Sequence, residues 1–425
     1  MSAKVKGSKN SLRRLFDKKI STNLIQHGNF DLIFACTVLL MFCFGIIMMY
    51  SASYAYSASN RGGANALFIS QFKSALLGFA AMAILSKIDY RILNGRFAPF
   101  AFIFTVFILV LTLVLNIGND ERRWIIIGSR QIQPSEFAKF SLILVLAYMI
   151  CVMQKGLRAP DGKTAKFTPE ADGLTKWEAK IFSFGRNPFR ACVILASVIT
   201  IYCGLIFLES HYSCTILMFA IGVFMMWLSG AKKKYFMYLA IGLTVVVAFV
   251  LIFPQSLEKL GGFGASRIMA WLDKDNPAYA DSRYQTVNGL YAIGSGGLFG
   301  VGLGNSKQKQ LYIPEPQNDF IFPVICEELG FVGACLVLIL FAVLICRGFI
   351  IARRCRDFFG SLLVMGIMIQ IALQVIINIC VVTDIFPNTG IALPFFSYGG
   401  TSLLVLLCEM GIVLSVSRNS TLDKE

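Results

Sequence analysis

The sequence predicts an all-α polytopic membrane protein with about ten transmembrane helices, both termini cytoplasmic and one large structured extracellular loop. Three observations predict it. Hydrophobic residues make up 56% of the 425 residues, and mean hydropathy is +0.68. Only 15% of residues are charged, against about 25% in a soluble domain. Apolar runs of about 20 residues, the length needed to cross a bilayer, recur along the whole chain. The net charge of +15 raises nucleic acid as a partner. The positive residues fall in loops between apolar runs, however, which is the positive-inside pattern and not a nucleic-acid face.

The N-terminal stretch carries Lys4, Lys6, Lys9, Arg13, Arg14, Lys18 and Lys19 before the first apolar run. That run, Leu32 to Tyr50, is full length, whereas a signal peptide has a shorter apolar core and a small-residue cleavage site. It is read as an uncleaved first helix behind a basic cytoplasmic tail, residues 1–30. Ten spans are expected near 31–52, 68–87, 97–117, 135–154, 190–208, 212–230, 234–254, 319–346, 358–384 and 396–416. They form one membrane domain, residues 31–417, followed by a cytoplasmic tail at 418–425. On one side lie the N-terminal tail, Lys87, Arg91 and Arg96, the 155–190 loop, Lys232 to Lys234, Arg347 and Arg353 to Arg356, and the C-terminal tail. That side is cytoplasmic, which places the long 255–318 loop outside. Alternation with both ends inside requires an even number of spans.

The twelve cysteines sit mostly in apolar runs and form no C-x-x-C pair, so they read as small buried apolar residues. The 155–190 loop is a solvated connector with a short interfacial helix near 174–184. The 255–318 loop contains the amphipathic pieces "SRIMAWL" (266–272) and "RYQTVNGLYAIG" (283–294). A long loop with structure of its own is more often functional than a linker. Its "GSGGLFGVGLGN" (294–305) lacks the G-K-[ST] of a nucleotide-binding loop. Its glycines permit either a tight path against the bundle or contact with a ligand phosphate.

The chemistry concentrates in charges within or beside apolar runs. Ionised groups are costly in hydrocarbon and mark function or pairing. Asp319 follows the polar "PEPQN" at the outer interface. Residue chemistry leaves it open between a helix cap and a catalytic acid. Glu327 and Glu328 lie deeper in the same run. They splay by about 100° on a helix, so one partner cannot serve both. They read as structural, neutralised or bonded to a cation on a neighbouring helix. "ERRWIIIGSRQIQPSEFAK" (121–139) brings Arg122, Arg123 and the interfacial Trp124. It continues into the fourth span, with Ser135 as the expected cap and Glu136 and Lys139 sharing a face. Lys73 is a further intramembrane cation, Glu209 and His211 punctuate the turn between spans five and six, and Glu409 lies in the last span. Charges of both signs toward the outer half suggest a polar cavity opening outward.

These pieces resemble the SEDS family, the FtsW, RodA and SpoVE proteins of bacterial division, elongation and sporulation. The resemblance rests on "RRWIIIGSRQIQPSEFAK", "ESHYSCTILMF", the stretch from "YQTVNGLYAIGSGGLFGVGLGN" through "PEPQNDFIFPVICEELGF", and "FPNTGIALPFFSYGGTSLL". They stand in family order across nearly the whole chain. The "ESHYS" turn is similar to the E-P-H-L-S form of FtsW and SpoVE proteins, with Ser210 in place of Pro. "PEPQND" and "FPNTG" stand where P-E-A-H-T-D and P-x-T-G are usual, and the Asp is kept.

The resemblance implies a peptidoglycan glycosyltransferase in the bacterial cytoplasmic membrane. It would polymerise lipid II into nascent glycan at the outer face, for division or spore cortex. It implies that Asp319 is the essential acid. A class B penicillin-binding transpeptidase and other division proteins are the expected partners. The departing pyrophosphate calls for positive charge from Arg or Lys or from a divalent cation, magnesium or manganese. No organic cofactor and no protein metal site are expected. Arg122, Arg123, Trp124, Glu136 and Lys139 are candidate substrate contacts, together with Ser397, Gly399 and Gly400 of "PFFSYGG". Glu327, Glu328, Lys73, Glu209 and His211 are supporting residues. The competing readings are a lipid II flippase, which needs polar groups accessible from both leaflets, and a non-catalytic scaffold of the division machinery.

Overall fold

A computed structural model of the chain describes residues 29–95, 97–115, 123–127, 130–157, 181, 187–252 and 263–418. The basic tail through residue 28, Arg122, most of the 155–190 loop and its expected interfacial helix, and the C-terminal tail lie outside the described residues. Among the described residues there are twelve α-helices: α1 Leu32–Asn60, α2 Ala66–Leu85, α3 Phe97–Leu115, α4 Pro134–Leu157, α5 Pro188–Leu208, α6 Tyr212–Leu228, α7 Lys233–Ile252, α8 Phe263–Leu272, α9 Ala280–Ser295, α10 Ile321–Arg354, α11 Phe358–Val382 and α12 Gly400–Arg418. Each of the ten expected spans has a helix. By length and composition alone, eight of the described helices suffice to cross a membrane.

The boundaries differ from expectation in instructive places. Helix α1 runs on to Asn60, and α12 starts at Gly400, because "PFFS" turns instead of entering the helix. Pro134 opens α4, where its missing N–H costs nothing. Ser135 therefore lies inside the first turn and is not the cap. One element was not expected at all. Residues Ile125–Ile127 (β1) and Arg130–Ile132 (β2) pair as an antiparallel hairpin, Ile125 opposite Ile132, on an otherwise helical scaffold.

Packing separates an inner set of helices from an outer one. Helices α4, α11 and α12 are the most enclosed, while only 22% of the apolar windows of α2 and α3 is buried. The inner helices carry the core, with Leu142 to Leu144, Ile367 and Leu407 fully shielded. Outer helices keep apolar side chains outward, Ile103 and Phe107 of α3 among them, as a lipid-facing surface requires. At one end of the bundle Asp31 caps α1 through Phe34 N–H at 2.9 Å. It also pairs with Arg347 at 2.8 Å and donates its own N–H to Ser417 Oγ at 3.1 Å. This joins α1, α10 and α12.

Helix α10 is two segments. Gly330 has φ 66 and ψ −166, a conformation essentially restricted to glycine. The segment after it, 331–354, is about 36 Å long at 1.5 Å per residue, enough to cross hydrocarbon without the 321–329 piece. The break frees backbone groups, and the Gly-rich loop satisfies them. Val301 N–H donates to Glu327 C=O at 2.9 Å and Gly302 N–H to Glu328 C=O at 3.0 Å. Phe331 N–H donates to Gly297 C=O at 2.9 Å and Val332 N–H to Leu298 C=O at 3.1 Å. Irregular backbone is tolerated at membrane depth only when protein buries and pairs it. A Cβ on Gly300 would strike the backbone of Glu328 and Leu329. The expected tight path of the loop is therefore present.

The two glutamates divide as their splay requires. Glu327 accepts from Ser306 Oγ, Lys307 N–H at 2.9 Å and Gln308 N–H at 3.3 Å. Glu328 takes Lys309 Nζ at 2.6 Å and Ser51 Oγ at 2.8 Å. The expected cation on a neighbouring helix is thus replaced. Lys309 comes from the loop after α9, and Glu327 has backbone donors instead of a cation.

Candidate active site

Asp319 sits in the turn before α10. It is not a cap: the cap position is Phe320, with no side-chain cap bond. Its main chain is pinned by α11, where Asn378 Nδ2 donates to Asp319 C=O at 2.8 Å and to Ile391 C=O at 2.7 Å. The carboxylate reaches the 388–391 loop, with Oδ2 3.5 Å from where a Cβ on Gly390 would stand. Burial pushes the Asp319 carboxyl up to about 6, and the nearby Arg267 guanidinium opposes that rise. The acid is therefore largely ionised at neutral pH yet basic enough to take a proton.

Arg267 comes from α8. Its Nη1 donates to Asn388 C=O at 3.2 Å, which fixes it on the loop beside Asp319. The helix itself is held by Asp384 at the end of α11. That carboxylate pairs with Lys274 at 2.6 Å and Arg283 at 3.4 Å, and its carbonyl accepts from Trp271 Nε1 at 3.2 Å. Burial and the nearby charge of Arg123 both push the Arg267 guanidinium down, and Asp319 opposes them. Arg267 and Arg123 therefore share this corner with the carboxylates of Asp319 and Glu315.

Arg123 approaches from the stretch before β1 and donates through Nη2 to Ser210 C=O at 2.8 Å. Ser210 has φ 57, which a proline ring, fixed near −65°, cannot adopt. Glu209 and His211 flank it. Burial raises the Glu209 carboxyl to about 8, against the pull of Arg123. Burial, Arg123 and Lys139 together lower the His211 imidazole to about 3. Both side chains are thus neutral at pH 7. Ser213 Oγ, in the first turn of α6, donates to Thr389 C=O and ties this turn to the loop at Asp319.

A second polar locus lies deeper. Lys139, 3% exposed, pairs with Glu136 at 2.8 Å, so the expected anion is its own helix neighbour. Gln370 Nε2 of α11 donates to Glu409 of α12 at 3.0 Å. Glu136, Gln370, Gln374, Pro394 and Glu409 line one small cavity. Lys139 acts on His211, so the deeper locus adjoins the turn.

The remaining candidates sit apart. Gly399 N–H donates to Gln71 Oε1 at 3.1 Å, Ser397 C=O accepts from Gln71 Nε2 at 3.4 Å, and a Cβ on Gly400 would meet Ser74 of α2 at 2.7 Å. These three residues dock the α12 entrance on α2. Trp124 is half-buried beside Arg123, and Lys73 is exposed on α2. Arg122 lies outside the described residues. Among the described residues, no three of His, Cys, Asp and Glu converge as metal ligands. At Asp319 the neighbouring charge is the Arg267 guanidinium, which favours the ionised carboxylate. Arg267, Asn378, Asn388 and Thr389 were not singled out by sequence. Gln370, Gln374 and Asn378 did carry a signal, as amides four residues apart in an apolar run, hence on one helix face.

Known proteins resemble this chain along nearly its full length. The model of the cell cycle protein family that groups FtsW, RodA and SpoVE matches residues 31–422. Stage V sporulation protein E of Bacillus subtilis is 36% identical over 394 residues, 92% of this chain and 97% of the relative. The probable peptidoglycan glycosyltransferase FtsW of Bacillus subtilis is 33% identical over 401 residues, 93% of this chain and 91% of the relative. Among solved structures, a chain of a peptidoglycan synthase complex that coordinates polymerization and crosslinking superposes with a TM-score of 0.68. It has 23% identity and covers 93% of this chain and 99% of that one. The rod shape determining protein RodA of Thermus thermophilus gives a TM-score of 0.61 at 23% identity, covering 93% and 98%. At that identity the structures establish the fold. The chain is a multi-pass membrane protein of the FtsW/RodA/SpoVE family of cell cycle proteins.

Proposed function

We propose that this chain is a peptidoglycan glycosyltransferase that polymerises lipid II at the outer face of the bacterial cytoplasmic membrane, with Asp319 as general base. The observation that carries the reading is the ionisable Asp319 held between Asn378 and the 388–391 loop, with Arg267 beside it. The GlcNAc 4-hydroxyl of one lipid II attacks C1 of the MurNAc of another. The hydroxyl proton passes to the Asp319 carboxylate. A bond forms between O4 and C1, and the C1–O bond to phosphate breaks, its electron pair leaving on undecaprenyl pyrophosphate. Arg267 and Arg123 supply positive charge where the leaving group gathers negative charge. A class B transpeptidase would crosslink the product, in division or spore cortex synthesis.

Purified protein, with its partner transpeptidase present, should convert lipid II to glycan strands, and Asp319→Ala should make none while melting as a folded protein. Polymer from Asp319→Ala would remove Asp319 from the base role. No polymer from the wild-type pair would overturn the enzyme reading.

A further inference from the structure

We propose that the turn between α5 and α6 is a carbohydrate subsite: Glu209 and His211, with Thr389 and Asn388 of the neighbouring loop, hydrogen-bond the hydroxyl and N-acetyl groups of the sugar presented to Asp319. The inference rests on the glycosyltransferase reading above and assigns that site its sugar-recognising groups.

The turn is buried yet chemically unfinished. Glu209 is 0% exposed, and neither of its carboxyl oxygens has a hydrogen-bond partner among the described residues. His211 Nδ1, Arg123 Nε, Asn388 Oδ1 and Thr389 Oγ1 are buried in the same condition. Folded proteins leave few such atoms, and each asks for a partner. Here six atoms from three chain segments stand unmatched around one place. The segments are linked by the bonds of Arg123 to Ser210, Ser213 to Thr389 and Arg267 to Asn388. Gly390, next in the loop, lies beside Asp319, whose Oδ2 would be 3.5 Å from a Cβ placed there.

The chemistry of these groups selects the ligand. A neutral carboxyl offers one O–H donor and acceptor oxygens, and a neutral imidazole offers one of each. Thr389 and Asn388 add a hydroxyl and an amide oxygen. That set suits a polyhydroxyl ring with an acetamido group. A pyrophosphate needs cations, which Arg123 and Arg267 provide on the flanks.

The test uses the full chain in nanodiscs and measures binding of two probes, lipid II and undecaprenyl pyrophosphate without sugar. Glu209→Ala should weaken lipid II binding tenfold or more and leave the sugar-free probe within threefold. Glu209→Gln, which keeps a neutral hydrogen-bonding group, should restore most of the loss. Arg123 and Cys214 of α6 act on Glu209 directly, and Glu136 and Lys139 of α4 act on its neighbours Cys214 and His211. With these in place, wild-type lipid II affinity should fall above pH 8 as Glu209 ionises, and the Gln variant should not follow. Equal losses for both probes, or no loss in Glu209→Ala, would overturn the subsite. A wild-type protein that binds lipid II with this sugar dependence but makes no polymer would leave the subsite standing and remove the glycosyltransferase.

Discussion

Asp319→Asn should leave a protein that is inactive and more stable than wild type, and the gain should depend on pH. The carboxyl is moved by burial from an ordinary 3.8 to about 6. Each pH unit of such a shift corresponds to 1.36 kcal/mol, so keeping Asp319 ionised in the fold costs about 3 kcal/mol at neutral pH. The folded state holds the proton more tightly than the unfolded one. Below pH 3.8 both states are protonated and no cost arises. Between 3.8 and about 6 wild-type stability falls as pH rises, because the unfolded chain releases its proton first. Above 6 the full cost remains. Melting curves of wild type and Asp319→Asn in the same nanodisc, from pH 4 to 8, should therefore converge at the acid end. They should separate by a few degrees at pH 7. The polymerisation rate should follow the ionised fraction, falling about tenfold from its plateau at pH 5. Arg267→Gln removes a charge that favours the carboxylate, so this acid limb should move to higher pH. A parallel pair of melting curves, or a rate that is flat from pH 5 to 8, would refute the reasoning.

Two further outcomes concern the broken helix. Gly330→Ala places a Cβ 2.5 Å from the Leu298 carbonyl oxygen in a glycine-only conformation. Strain of about 1–3 kcal/mol joins the disturbance of the Phe331 and Val332 hydrogen bonds, so the melting temperature should drop. An unchanged melt would show that Gly330 is not needed for the break. Lys309→Met and Glu328→Gln should each destabilise by about 3–5 kcal/mol, as removing one partner of a buried pair does. The double variant should recover part of that loss, and strict additivity in the thermodynamic cycle would show that the pair is not coupled.

Much of this architecture was legible because the bilayer fixes the length of a span. Ten apolar runs gave ten helices, and the amphipathic pieces at 266–272 and 283–294 lie in α8 and α9. The hairpin at 125–132 was not legible, since strands of three residues are shorter than any alternation that could reveal them. Gly330 was hidden for a related reason: one glycine inside an apolar run reads as a tolerated helix residue. The glutamates announced themselves by type but not by partner. Ser306 and Lys309 come from irregular backbone whose path only tertiary pairing defines. Arg267 was visible as a residue of an amphipathic piece, but its approach to Asp319 depends on Asp384, more than a hundred positions away.

Charge alone therefore does not separate support from function in this bundle; saturation of hydrogen bonds does. Glu327, Glu328 and Lys139 all look costly in sequence, and each is matched by an ion pair or several donors. Glu209 and His211 keep buried atoms with no partner. Asp319 is held by its main chain while burial unsettles its carboxyl. The unmatched atoms at Arg123, Glu209, His211, Asn388 and Thr389 gather at one end of the bundle. The opposite end is closed by Asp31, Arg347 and Ser417 in mutual contact. A transporter would need polar groups that serve both leaflets in turn. A cluster of unmatched groups at the α5–α6 turn, beside a carboxyl poised near pH 6, suits a reaction worked from one side of the membrane.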